Sequence, residues 1–344
     1  MRAVGMRHIG EPELVEVDDP GDPGPGEVRV AVEMVALSIA EVRAVRGDRF
    51  RHFGQVLDPD DPFVFGFAGV GRVEASGDPA VAAGTRVILS GVETCGACGF
   101  CRRDLENHCP NVKFAGIDIG CPGFARQSIV LPARRVFALP ESFRSEIACV
   151  VSEVATTIHA LHRGRVRAGE SVGIVGAGRH GRQLIRVARR RGAHVVAVDP
   201  SPVALELALA AGANVALLPD QVSGRQVDVV VHANSVEASL GLCFDMARPG
   251  GRIVALGTPA GLDVVIPRAG ERLARLEREL IGTDSKTAAG YRAAIELMST
   301  GDEDWDIRRP RHVPMADAPS ELRAAAASWP PADDLFISID GAAA

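Results

Sequence analysis

Four cysteines stand close together, Cys95, Cys98, Cys101 and Cys109, in the pattern C-x2-C-x2-C-x7-C. Thiolates spaced this tightly can converge tetrahedrally on Zn²⁺ at about 2.3 Å, and four sulfurs leave no position for water or substrate. The pattern therefore predicts one structural Zn²⁺ per chain. Gly96 and Gly99 ease the turns between the ligands. In a reducing compartment such a cluster reads as a metal site before it reads as disulfides. Cys121, Cys149 and Cys243 stand alone and read as small packing residues.

A second group is Gly176-Ala177-Gly178-Arg179-His180-Gly181, which follows an apolar strand and opens a helix. In that context the first glycine permits a tight turn, the second lets the backbone approach a pyrophosphate, and the third lets helix and strand pack closely. The helix N-terminus adds free N–H donors. Asp199 closes the next strand, where its carboxylate can accept hydrogen bonds from ribose hydroxyls and would repel a 2′-phosphate. Pro200-Ser201-Pro202 offers no Arg to offset that repulsion. The cofactor expected is NAD(H) in preference to NADP. The cofactor contacts fall on Gly176, Gly178, Arg179, His180, Gly181 and Asp199, although His180 also fits a solvated loop position.

These groups need elements to hold them. The N-terminal stretch is rich in short β-type runs broken by Gly and Pro (27–32, 69–74, 86–89, 128–131), which predicts an all-β, barrel-like domain. From Glu146 the pattern alternates helix and strand: helix 147–161, strand 171–175, helix 183–191, strand 195–198, helix 203–211, strand 227–231, helix 237–247 and strand 252–256. This βαβ repetition implies a parallel sheet covered on both faces. Beyond it, helices at 291–298 and 318–327 and a strand at 335–339 are expected to return to the first domain. The division predicted is 1–145 with the cysteine lobe at about 90–115, then 146–288, then 289–344.

Composition narrows the class. At 344 residues and 47% hydrophobic, the chain can fill two cores. Its net charge of −6 is spread along the sequence without a basic block, so nucleic acid is not expected as a partner. No apolar run approaches the ~20 residues that span a bilayer, and no leader pattern opens the chain. A cytoplasmic protein without membrane contact, acting on a small-molecule substrate, is the expectation. Only Lys113 and Lys286 are lysine, a bias toward Arg that reads as coding preference.

Together these residues resemble the medium-chain dehydrogenase/reductase superfamily, which contains the zinc alcohol, sorbitol and threonine dehydrogenases. The resemblance also rests on Pro25-Gly26-Glu27-Val28, Gly123-Phe124-Ala125, Val130-Leu131-Pro132-Ala133, Gly169-Glu170-Ser171-Val172 and Pro249-Gly250-Gly251-Arg252. It implies an α/β molecule: a GroES-like β-barrel catalytic domain, a Rossmann doubly wound parallel-sheet domain, a cleft between them, and homodimers or homotetramers.

The resemblance breaks at the catalytic metal. Zinc-dependent members hold it with the Cys of a Cys-Gly-x-Asp motif, the His of a Gly-His-Glu motif and a later Glu or Cys. Here the first motif reads Ser38-Ile39-Ala40-Glu41 and the second Gly66-Phe67-Ala68, and only Glu153 remains of a later Glu-Pro pair. A lone carboxylate and a neutral hydroxyl do not make a stable Zn²⁺ site. No catalytic zinc is expected unless the motif is displaced toward His52.

Without a Lewis acid, three routes stay open. Glu153 or Glu41, with a raised pKa, serves as general acid or base. Alternatively the substrate is an activated C=C, C=N or C=O bond needing only hydride and a weak donor such as Ser38 or Thr157. In the third, catalysis is lost and the chain is a silent nucleotide-binding subunit. A conventional zinc alcohol or polyol dehydrogenase is the remaining alternative. Thr156 and Thr157 would lie near the nicotinamide, His159 reads as packing, and Phe67 would fill the former metal cavity. The loops 40–62 and 116–121 would select the substrate.

Overall fold

The computed structural model describes residues 1–52, 54–234, 236–256, 266, 268–300, 305, 307, 310–328 and 334–339. Its elements, in chain order, begin with β1 (Arg2–Met6), β2 (Pro12–Glu16), β3 (Glu27–Ala36), α1 (Ile39–Arg46), α2 (Asp48–His52), β4 (Phe63–Val64), β5 (Gly69–Ser76) and β6 (Arg86–Leu89). There follow β7 (Val92–Glu93), β8 (Lys113–Phe114), β9 (Ser128–Pro132), β10 (Val136–Ala138), α3 (Ser145–Arg163), β11 (Ser171–Val175), α4 (Arg179–Arg190), β12 (His194–Val198) and α5 (Pro202–Ala210). The chain continues through β13 (Val215–Leu217), β14 (Val227–His232), α6 (Glu237–Met246), β15 (Ala247–Ala255), β16 (Glu279–Gly282), α7 (Ala288–Met298), β17 (Arg311–Pro314), α8 (Ala318–Ala327) and β18 (Leu335–Ser338).

Two compact units result, Met1–Ser152 with Thr287–Ala344, and Glu153–Lys286. In the first, β3 is the spine. It alternates buried with partly buried residues, the period-2 pattern of a strand with one face in the core. It pairs antiparallel with β5, β9 and β18. The core gathers Val30, Val32, Phe65, Leu89, Phe124, Ile129 and Ile337. The expectation of an all-β domain overlooked α1 and α2. Helix α1 is only eight residues long, and it depends on its capping box and on the left-handed Gly47 that ends it (φ 69°).

The second unit is a six-stranded, all-parallel sheet in the order β13-β12-β11-β14-β15-β16. Its strands are short Val/Ile runs, as a sheet covered on both faces requires. Val175, Val198, Val230, Phe244 and Ile253 form one of its cores. Two boundaries differ from the sequence reading. Helix α4 starts at Arg179, because Gly178 itself is the N-cap and the motif's last three residues already form the helix's first turn. Strand β15 starts at Ala247: its register with β14 jumps from Val227/Ala247 to Val229/Arg252, so the Pro249-Gly250-Gly251 turn is a bulge within the strand.

Candidate active site

The four cysteine sulfurs of the lobe lie within 4.8 Å of one another. The separations Cys95–Cys109 and Cys98–Cys101 are 3.5 Å, and Cys95–Cys101 is 3.9 Å. A tetrahedron with 2.3 Å metal–sulfur bonds has edges of about 3.8 Å, whereas a disulfide bond is about 2.05 Å. The donor set and spacing thus fit Zn²⁺. Backbone N–H groups of Ala97 and Cys98 hold the Cys95 thiol down to about 6, while burial pushes Cys101 up to about 11. Four thiolates this close need a cation to ionise together. This is the one cluster of three or more potential His, Cys, Asp or Glu ligands among the described residues.

The glycine loop turns out of β11 at the carboxyl edge of the parallel sheet. Gly176 takes φ +104°, a left-handed conformation that L side chains rarely adopt. A Cβ on Gly181 would stand 1.9 Å from Gly176 O, whereas one on Gly178 would meet nothing within 4 Å. The second glycine therefore faces open space at the N-terminus of α4, whose first turn carries no acidic residue. That cradle fits a pyrophosphate. Asp199 follows β12 directly and ties the loop in place: Oδ2 accepts from Ala177 N (2.8 Å) and Oδ1 from Ser201 N (2.9 Å).

Ser38, Glu41 and Phe67 are brought together in the first unit, as a helix cap. Glu41 is 1% exposed, and burial raises its pKa. Its Oε2 accepts from Ser38 N (2.8 Å) and Ser38 Oγ (2.6 Å), and its Oε1 from Phe67 N (3.0 Å). Ser38 Oγ also accepts from Ala40 N at 3.1 Å. Glu41, for which the sequence left open a capping, a solvated or an acid–base role, is accordingly a buried capping group. The Phe67 ring packs edge-on against Phe114 (6.2 Å between centroids) and against Gly91, where a Cβ would come within 2.4 Å of the ring. The need for glycine at position 91 was not legible in the sequence. The side chain of His52, the displaced-motif alternative, lies outside the described residues. The loops 40–62 and 116–121 do meet, lining a cavity of about 750 Å³ with Leu57, Asp61, Ile119 and Cys121 among its walls.

In the second unit Glu153, on α3, faces the glycine loop. Arg179 Nε stands 2.9 Å from Glu153 Oε2, and both side chains are largely buried. His180 is half-buried rather than solvated. Burial lowers its pKa, which Arg179 and Lys286 lower further and Glu153 opposes. Thr157 is fully buried and donates to Val154 O at 2.8 Å, a bond within its own helix. His159 is buried as expected of a packing residue. Lys286, which the sequence reading assigned no role, is 4% exposed, and burial pushes its pKa down to about 7 against the pull of Glu153 and Asp284.

A thiolate lobe on a β-rich unit and a dinucleotide-type glycine loop on a parallel sheet define a two-part, nicotinamide-dependent dehydrogenase. Residues 24–141 match the family model described as alcohol dehydrogenase GroES-like domain, and 181–300 match that of zinc-binding dehydrogenases. An L-threonine 3-dehydrogenase of Pyrococcus abyssi is 30% identical over 72% of this chain and 73% of its own length. A 2-dehydro-3-deoxy-L-galactonate 5-dehydrogenase of Pseudoalteromonas atlantica is 27% identical over 86% of each chain. Among solved structures, an alcohol dehydrogenase from Thermus sp. ATN1 superposes with a TM-score of 0.86, at 24% identity, over 98% of this chain and 100% of that one. The chain belongs to the medium-chain, zinc-type alcohol dehydrogenase-like superfamily and is an NAD(P)-dependent oxidoreductase. No described helix is long and apolar enough to cross a membrane.

Proposed function

We propose that this enzyme uses NAD(H) and transfers hydride to or from a small organic substrate without a catalytic zinc, with reduction of an activated C=C, C=N or C=O bond as the favoured direction. The carrying observation is that Ser38 and Phe67, which replace the family's Cys and His, are both engaged in structure. Ser38 caps α1, and the phenyl ring of Phe67, packed on Gly91 and Phe114, has no donor atom for a metal.

The chain's own residues divide the work. Gly176, Gly178 and Gly181 with the N–H groups opening α4 would hold the pyrophosphate, and Asp199 the ribose hydroxyls, in preference to a 2′-phosphate. A nicotinamide held by these residues would supply or accept the hydride. Ser38 and Glu41 fix the backbone of Phe67, so neither is the acid or base in this reading, and Thr157 is a packing residue. Glu153 stands beside the cofactor loop in an ion pair with Arg179.

Elemental mass spectrometry on protein purified without added zinc or chelator is the test. About one zinc per chain, with turnover of an enone, imine or carbonyl panel insensitive to chelators that strip labile metal, supports the proposal. Two zincs per chain would overturn it in favour of a conventional zinc alcohol dehydrogenase. One zinc with tight NADH binding and no turnover across the panel would leave a silent subunit.

A further inference from the structure

Beside the glycine loop stands a polar cluster that the reading above leaves without a role. His232 is the last residue of β14 and pairs with Val175, the last residue of β11. Ala233 and Asn234 follow it, and Ser239 lies in the first turn of α6. The Asn234 amide is held on both sides. Its Oδ1 accepts from Val236 N (2.8 Å) and from Ser239 Oγ (2.8 Å), and its Nδ2 donates to Val175 O (3.2 Å). A backbone N–H can only donate and a backbone carbonyl can only accept, so these partners fix which end of the amide is oxygen and which is nitrogen.

Proton counting orders the rest of the cluster. Ser239 Oγ has one proton and faces two groups that only accept, Asn234 Oδ1 and Val236 O (2.7 Å). His232 Nε2, 2.7 Å from Ser239 Oγ and 3.3 Å from Val236 O, therefore carries its hydrogen and donates. His232 is 2% exposed, which keeps bulk water from competing for this bond. Donation thus runs from His232 through Ser239 to Asn234, and hydrogen bonds in series polarise one another. At the end of the series is an amide with two N–H groups. One meets Val175 O, and the other has no partner among the described residues.

Topology narrows what that N–H can meet. The sheet order puts β11 between β12 and β14, so Asp199, after β12, and Asn234, after β14, flank the glycine loop on opposite sides. A dinucleotide binds across this reversal of strand order, with one mononucleotide over each half of the sheet. With Asp199 on the adenosine-side ribose, the nicotinamide half falls to β14. Asn234 Nδ2 would be 3.1 Å from a Cβ on Gly176, the glycine that turns out of β11. The donor therefore adjoins the pyrophosphate cradle, and the group that follows the pyrophosphate on this side is the second ribose.

We propose that Asn234 is a cofactor-binding residue whose second N–H donates to a hydroxyl oxygen of the nicotinamide-side ribose, with Ser239 and His232 as the positioning residues that hold its amide. This role rests on the reading that Gly176–Gly181 and Asp199 hold NAD(H).

Truncated ligands separate contact from support. ADP carries the adenosine and both phosphates, ADP-ribose adds the second ribose, and NADH adds the nicotinamide. By isothermal calorimetry, Asn234→Ala should weaken NADH and ADP-ribose alike, by about tenfold or more, and ADP by less than about twofold. Ser239→Ala keeps the amide but releases it from the series, and should weaken NADH and ADP-ribose by about threefold while sparing ADP. If Asn234→Ala fails to fold, Ser239→Ala carries the same comparison. A loss of ADP affinity parallel to that of NADH would show that the cluster only braces the glycine loop, and would overturn the proposal. Unchanged affinity for all three ligands would overturn it as well, and so would a loss confined to NADH, which would put the contact on the nicotinamide ring. Wild-type protein that binds neither NADH nor ADP would sink the cofactor reading and this role with it, whereas wild-type binding with any of the contrary variant patterns sinks this role alone.

Discussion

Gly178 and Gly181 belong to one motif but are required for different reasons. Gly181 packs against the backbone of Gly176, so Gly181→Ala drives a methyl into a carbonyl that cannot move and should cost about 1–3 kcal/mol of stability or more. Gly178 faces open space, and its backbone is extended (φ −63°, ψ −172°), so Gly178→Ala should leave thermal stability nearly unchanged. Its methyl would instead occupy the pyrophosphate cradle, and NADH affinity should fall at least tenfold, about 1.4 kcal/mol. Thermal melts and isothermal calorimetry on the two variants separate the effects. Equal losses of stability would show that the cradle is not open. His180 carries a related lesson: burial lowers its pKa first, and of the charges that act on it, Glu153 and Lys286 are distant in sequence while Arg179 is adjacent.

Among the elements, α1 and the β11–β14 pair depend on polar pins. Ser38→Ala removes the cap of a short helix and should cost about 1 kcal/mol by urea denaturation. The loss also frees Glu41 from one of its donors, so the peptide of Phe67 should become less protected from hydrogen exchange. Asp228 pins the start of β14 to that of β11. Its Oδ2 accepts from Ser171 N (2.8 Å) and Oγ (2.6 Å), and its Oδ1 from Arg248 Nε (2.7 Å). Burial alone would raise its pKa, but these donors prevail and hold the carboxyl down to about 2. A depressed folded-state pKa stabilises the fold above the unfolded value of about 3.9 and loses that effect as pH falls through about 2. Asp228→Asn should therefore cost about 1–2 kcal/mol at pH 7 after allowance for partial exposure. The difference from wild type should shrink between pH 4 and pH 2, and a pH-independent difference would contradict the role assigned to the carboxylate.

For the whole molecule, the two compact units predict separable losses. Replacing Cys98 and Cys101 by Ser removes half the donor set, so bound zinc should drop from about one per chain to none. The first unit should then melt at lower temperature by several degrees. Because the glycine loop belongs to the other unit, NADH affinity at temperatures below that transition should change less than threefold. Loss of cofactor binding in parallel with zinc would mean that the units do not fold independently.

What the sequence showed by itself was carried by local spacing. The cysteine lobe is contained within 15 residues, and the loop of Gly176–Gly181 follows directly on its strand. The Val/Ile strands also declare themselves by their length and by their flanking turns, as Ser171–Val175 shows, with the same limits in the structure. Tertiary structure alone decided the state of the polar groups. Glu41 reads as a solvated or a capping acid, and only the fold shows that it is buried and that Phe67, 26 residues on, donates to it. Gly91 reads as an ordinary loop glycine until the Phe67 ring is seen against it. Lys286 has no role in the sequence until burial removes its water and sets Glu153, 133 residues earlier in the chain, among the charges that act on it. Residue order along the chain reveals turns, helices and the extent of strands, because these follow from residues a few positions apart, whereas the pairing of strands does not. Desolvation and charge pairing depend on which surfaces meet, and those meetings exist only once the chain has folded.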